Sequence, residues 1–172
     1  SLFSATTART AGFNSVDTGS LTSASKLLTC VLMFIGGSPG STAGGIKTTT
    51  IFILVVSLWS GITDRHKTAV FKRRFEDDAI KKASTVFTLN MFLAIFALFT
   101  ILAITDLSLS DVMFEVFSAI GTVGITTGIT RDLSSAARII IMVLMFCGRV
   151  GSLSFALTFL QGKKDPPVYY PE

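Results

Sequence analysis

From Ala83 to Thr105 the chain carries no charged residue, and this run is about as long as the roughly 20 apolar residues needed to cross a bilayer core. A helix over 83–105 follows, because a lone segment in lipid must satisfy its own backbone hydrogen bonds. The rest of the chain suits the same solvent, with 49% hydrophobic residues, 15% charged residues and 15 phenylalanines. Two further apolar stretches read as membrane-spanning, and each holds an oddity. Ile139 to Gly162 contains Arg149, while Leu27 to Thr63 is too long for one span and is interrupted from Gly36 to Gly45. Cys30 and Cys147 lie inside apolar runs and read as small buried hydrophobes, not as a disulfide or a metal site.

The chain is also duplicated. Sliding Thr10 onto Thr122 brings Gly12 onto Gly124, Leu21 onto Leu133, Lys26 onto Arg138, Val31-Leu32-Met33-Phe34 onto Val143-Leu144-Met145-Phe146, and Gly36 onto Gly148. A period of about a hundred residues is too long for a solenoid repeat, so each copy is a whole unit: a glycine-containing turn feeding a long apolar helix. The first copy lacks the helix that precedes the turn in the second, and the chain opens on Ser1 rather than Met, so a fragment is expected.

Ser1 to Arg9 reads as the end of a half-buried helix, followed by irregular backbone at Thr10-Ala11-Gly12-Phe13-Asn14. Non-helical backbone at membrane depth is tolerated where it lines water or an ion path; the plainer reading is an extracellular turn. Leu21 to Ile35 starts a helix, with Thr22 or Ser23 as N-cap. It must break at Gly36-Gly37-Ser38-Pro39-Gly40-Ser41-Thr42-Ala43-Gly44-Gly45, where glycine entropy and a proline oppose helix, and it resumes through Thr48 to Trp59. Gly40 to Thr48 imitates a phosphate loop, but Ile46 separates Gly45 from Lys47 and no strand precedes it, which argues against an NTP-binding enzyme.

Asp64 to Lys82 is polar and mostly basic, including Arg65, His66, Lys72, Arg73 and Arg74, which suits a short cytoplasmic loop. After the helix 83–105, the acids Asp106, Asp111, Glu115 and Asp132 are expected at an external mouth, where they would concentrate cations. Asp111 also suits the N-cap of a short helix over 111–121. That helix would aim its negative dipole end at Thr122-Val123-Gly124. In extended form, this segment would line up carbonyl oxygens able to replace a cation's hydration shell. No nucleophile with its base, and no cluster with metal-ligand spacing, appears in the sequence, so the reading is ion passage and not an enzyme.

Together, Thr10-Ala11-Gly12-Phe13-Asn14, Gly36-Gly37-Ser38-Pro39-Gly40 through Gly44-Gly45-Ile46-Lys47-Thr48-Thr49, Thr122-Val123-Gly124-Ile125-Thr126-Thr127-Gly128, and Gly148-Arg149-Val150-Gly151 resemble the second half of a Trk/Ktr/HKT potassium transporter. The short basic loop and the tail Lys163 to Glu172 look more like a Ktr ion-conducting subunit than a Trk one. The resemblance implies an all-α membrane protein of helix–pore loop–helix repeats, two of a pseudo-fourfold set of four, with one broken helix. It divides the chain into a partial third repeat (1–63), a cytoplasmic linker (64–82), a fourth repeat (83–162) and a cytoplasmic tail (163–172). The fourth repeat would comprise helix 83–105, pore helix 111–121, filter 122–126 and helix 134–162.

It further implies that potassium is bound by filter carbonyls at Thr10 to Asn14 and at Thr122 to Thr126, centred on Gly12 and Gly124. Neither strand carries the serine that marks some sodium-favouring members. A gating loop would run from Gly36 to Lys47, with Lys47 repelling cations while the loop is in place. Arg149 lies about 22 Å down its helix from Ser134 at 1.5 Å per residue. It is expected to be buried and to latch the loop's carbonyls. A plasma-membrane, multi-pass, bacterial homodimer is implied, on a cytosolic KtrA-like ring that binds ATP or ADP; neither nucleic acid nor a structural metal is. The runner-up is a secondary transporter holding a small solute at the broken helix.

Overall fold

In the computed structural model, residues 2–13, 18–38, 43–63, 69–70, 73–74 and 77–151 are described. The elements are α1 (Leu2–Thr7), α2 (Ser23–Phe34), α3 (Thr48–Ile62), a two-residue antiparallel ladder of β1 (Ala69–Val70) with β2 (Arg73–Arg74), α4 (Asp77–Ile104), α5 (Leu109–Ile120), a 3-10 turn (Ile129–Arg131) and α6 (Ser135–Val150). Helices thus make up nearly all of the described regular structure. The ladder lies within the segment expected as the linker.

α4 starts at Asp77, six residues before the apolar run. Asp77 and Asp78 suit a helix N-terminus, and Lys81 and Lys82 are good helix formers, so the helix extends through the charged turn. Its 28 residues measure about 42 Å at 1.5 Å per residue, long enough to cross a bilayer. One face is small and buried at Ala94, Ala97 and Ile101, while Phe92, Ile95, Phe96 and Phe99 are exposed.

α5 is the centre of the packing, against α2, α4 and α6. Val112, Val116, Ala119 and Ile120 join the cluster shared with α4 and α6, and Phe114 joins Cys30, Met33, Val123 and Ile125 on another side. Phe117 meets Phe34 edge to face at 5.4 Å. The N-cap is Ser108, not Asp111: the Ser108 hydroxyl accepts from the Asp111 amide and donates to Asp111 Oδ2 at 2.6 Å. Serine one turn earlier leaves Asp111 free to reach back, a reciprocal arrangement like a capping box.

α2 is capped by Thr22 as expected. α6, expected to run over 134–162, ends at Val150, where Gly151 takes φ +89°; left-handed glycine is a common helix stop. Residues 152–172, including the tail, lie outside the described set. The buried face of α6 runs Ala137, Ile141, Leu144, Cys147 and Gly148. A Cβ on Gly148 would come 2.2 Å from the Ile120 carbonyl oxygen. Gly148→Ala is therefore expected to push α6 off α5 and cost about 1–3 kcal/mol, read as a lower thermal midpoint of the purified full-length protein.

Candidate functional site

Two turns leave the ends of α1 and α5, each tied back to its helix by main-chain bonds of different register. After α1, the amides of Ala11 and Gly12 bond back to the Thr7 carbonyl; after α5, Thr122 bonds to Ala119 and Val123 to Ser118. Each turn then places a threonine and a glycine in the left-handed region at alternate positions: Thr10 (φ +71°) and Gly12 (+73°), Thr122 (+54°) and Gly124 (+84°). The extended form expected from sequence is thereby corrected. A β-strand turns successive peptide groups to opposite sides, whereas left-handed residues at every second position turn them back. For a β-branched residue this conformation is a strained outlier, of order 1–3 kcal/mol, and it occurs in both copies.

The two glycines differ in what holds them. A Cβ on Gly12 would lie 2.4 Å from the Val123 carbonyl oxygen, so the turns touch there; around Gly124 nothing lies within 4 Å. Phe13 and Ile125, matched by the duplication, both lend their carbonyls to a helix hydroxyl. Thr7 Oγ1 donates to the Phe13 carbonyl at 2.7 Å and accepts the Phe13 amide at 2.8 Å; Ser118 Oγ donates to the Ile125 carbonyl at 2.6 Å. Asn14 lies outside the described residues.

Beyond α2 the glycine-rich segment is tied at its neck. Ile35 bridges Ile46, the Gly36 amide bonds the Ile46 carbonyl at 2.8 Å, and the Thr48 amide bonds the Gly37 carbonyl at 3.3 Å. Pro39, Gly40, Ser41 and Thr42 lie outside the described residues. The returning limb meets the second turn: the Gly44 amide donates to Thr122 Oγ1 at 3.1 Å, and a Cβ on Gly44 would sit 2.2 Å from that oxygen. Lys47 precedes α3 as its N-cap residue and donates from Nζ to the Ala43 carbonyl at 2.5 Å.

Two expected placements are corrected. Arg149 is exposed on the last turn of α6, because the buried stripe passes through Cys147 and Gly148 instead. The acids do not form one exposed mouth either. Asp106 and Asp132 are exposed, but Asp111 pairs with Lys26 Nζ at 2.8 Å, and Glu115 is 6% exposed, where it accepts from the hydroxyls of Thr126 and Thr130.

Asp111's carboxyl is held below its ordinary 3.8 by the Lys26 hydrogen bond first and the Ser108 hydroxyl second. A depressed folded-state pKa contributes stability that is complete at neutral pH and is lost as pH falls through the folded value. The thermal midpoint of the full-length protein is thus expected to drop on acidification below about pH 4, and Lys26→Met to flatten that drop.

Residues 1–165 match the TrkH family of cation transport proteins. The chain belongs to that family. It is 38% identical over 172 residues to Ktr system potassium uptake protein B of Bacillus subtilis (strain 168), covering all of this chain and 38% of that relative. To Ktr system potassium uptake protein D of the same organism it is 40% identical over 171 residues, covering 99% of this chain and 37% of the relative. To potassium/sodium uptake protein NtpJ of Enterococcus hirae it is 37% identical over 177 residues, covering 99% and 39%. The chain therefore spans under two-fifths of the length of these relatives. The TrkH-family assignment makes this a membrane protein of a cation-transport class and excludes the phosphate-loop reading.

In this TrkH-family chain, sequence reasoning missed the partners that brace the turns, Thr7, Ser118 and Thr18, and Lys26, which ties α2 to Asp111 of α5. The duplication held a partial signal, since it sets Lys26 on Arg138 and Thr6 on Ser118. The hydroxyl that bonds the turn is Thr7 in one copy and Ser118 in the other, one register position apart.

Proposed function

We propose that this chain is the second half of a potassium uptake pathway in the plasma membrane. The turns Thr10–Asn14 and Thr122–Thr126 are two of four filter strands, and the loop Gly36–Lys47 is an intramembrane gate that interrupts one long helix, α2 and α3 being its halves. The observation that carries this reading is the meeting of three glycine-dependent segments: Gly12 lies against the Val123 carbonyl, and Gly44 against the Thr122 hydroxyl. With the Phe13, Ile125 and Thr126 carbonyls taken by hydroxyls, the carbonyls of Thr10 to Gly12 and of Thr122 to Gly124 are the ones proposed to substitute for a cation's water. Potassium as cargo is taken from the relatives' names.

With the Gly44 limb against Thr122, the loop lies at the start of the strand, where it would obstruct the path. Lys47, whose Nζ bonds the Ala43 carbonyl, is the cation of the loop itself and would repel cations while the loop is in place. A homodimer on a KtrA-like cytosolic ring binding ATP or ADP completes the assembly. The reading is tested by rubidium and sodium uptake in cells lacking their own potassium transport, carrying the full-length protein with Gly124 or Gly124→Ser. Unchanged selectivity at equal membrane amount would make the Thr122–Thr126 turn a mere connection.

A further inference from the structure

The buried carboxylate of Glu115 is not explained by ion passage alone. It lies one turn before Ser118 on α5, so one face of the helix grips two consecutive residues of the returning strand: Ser118 holds the Ile125 carbonyl and Glu115 holds the Thr126 hydroxyl. The Thr126 hydroxyl donates to the Glu115 carboxyl. Having donated to Glu115, that oxygen accepts the Gly128 amide at 2.9 Å and closes the turn into the left-handed Gly128. Thr130 donates to the same Glu115 oxygen at 3.0 Å. The Thr126 carbonyl is occupied from the other copy, by Thr18 Oγ1 at 2.5 Å. Thr126 is therefore fixed through both its hydroxyl and its carbonyl.

We propose that Glu115 is a positioning residue for cation selection, the far anchor of a strand whose near anchor is the pair of main-chain bonds from the Thr122 and Val123 amides back to Ala119 and Ser118 of α5. This rests on the filter reading above. Between the two anchors stands Gly124, with open space on the side where a Cβ would point and therefore little local packing to fix it there. The spacing of the strand's carbonyls is set by where its ends are held, and releasing one end lets Gly124 relax. The duplication places Phe3 where Glu115 stands and Asn14 where Thr126 stands. The first copy thus carries no carboxylate at the position of Glu115.

The test uses the full-length protein in cells without their own potassium transport, with rubidium and sodium uptake scaled to protein in the membrane. Glu115→Leu and Thr126→Val are each expected to lower the rubidium-to-sodium ratio by about tenfold, within reach of one lost charge-assisted hydrogen bond. The double variant should be no worse than the worse single one, and Glu115→Gln, which keeps one acceptor oxygen, should fall between parent and Glu115→Leu. A structural role alone would reduce membrane amount while leaving the ratio at the parent's value. That result for Thr126→Val, which leaves α5 untouched, overturns the proposal even if Glu115→Leu does not assemble. Gly124→Ser runs alongside: if it shifts the ratio and Thr126→Val does not, only the anchor is wrong, whereas if Gly124→Ser shifts nothing, the filter reading falls and the anchor with it.

Discussion

Gly124→Ser in the full-length protein is expected to reach the membrane and to take up rubidium with a preference over sodium reduced about tenfold. Nothing stands within 4 Å of a Cβ at this position, so the side chain meets no obstacle. The backbone is the difficulty. At φ +84° a non-glycine residue costs roughly 1–2 kcal/mol, and rotation of the neighbouring peptide relieves that strain. In the proposed filter, one such rotation would withdraw a carbonyl from the ion, and about 1.4 kcal/mol of lost discrimination is a factor of ten. Gly12→Ser is a different case, since its Cβ collides with the Val123 carbonyl; loss of assembly is expected there instead of altered preference. Uptake assays with quantified membrane protein separate the two outcomes.

Gly44→Ala is expected to raise maximal uptake several-fold while changing ion preference far less. The added methyl would stand 2.2 Å from Thr122 Oγ1 and 2.6 Å from its Cγ2, so the returning limb must leave the start of the strand. Departure also breaks the Gly44 amide bond to Thr122. Thr122→Ala removes the acceptor and most of the collision at once. It should raise uptake on its own, and combining it with Gly44→Ala should add little, the non-additivity expected of residues in contact. If Gly44→Ala lowers uptake in proportion to its membrane amount, the loop is a static break and not a gate.

The helices and the non-helical interval between α2 and α3 were legible because their causes are local. An uncharged run, a cluster of glycines with a proline, and a threonine before an apolar stretch each act over a few residues. The pairing of the two turns was legible from the duplication. What sequence could not supply depends on partners distant along the chain. Glu115 looked like one more acid in a series, and only its approach to Thr126 and Thr130 turns it inward. Asp111 looked like a helix cap until Lys26 drew it into an ion pair. Arg149 was expected in the interior from its depth along the helix, yet the register of α6 puts Gly148 there, one position earlier. The strand geometry was misread for another reason: a left-handed threonine runs against that residue's own preference and is imposed by what surrounds it.

The neck of the glycine-rich loop has an evolutionary consequence. Its ties join the main chain of Phe34 to Gly37 with that of Ile46 and Thr48 and use no side chain. Closing a longer loop over a fixed neck costs only about 0.6 kcal/mol for each doubling of length. A longer or shorter loop can thus be closed over the same neck at little entropic cost. For the gate proposed above, how readily the pathway opens would then be a trait that lineages can tune by small insertions while the rest of the protein is inherited unchanged.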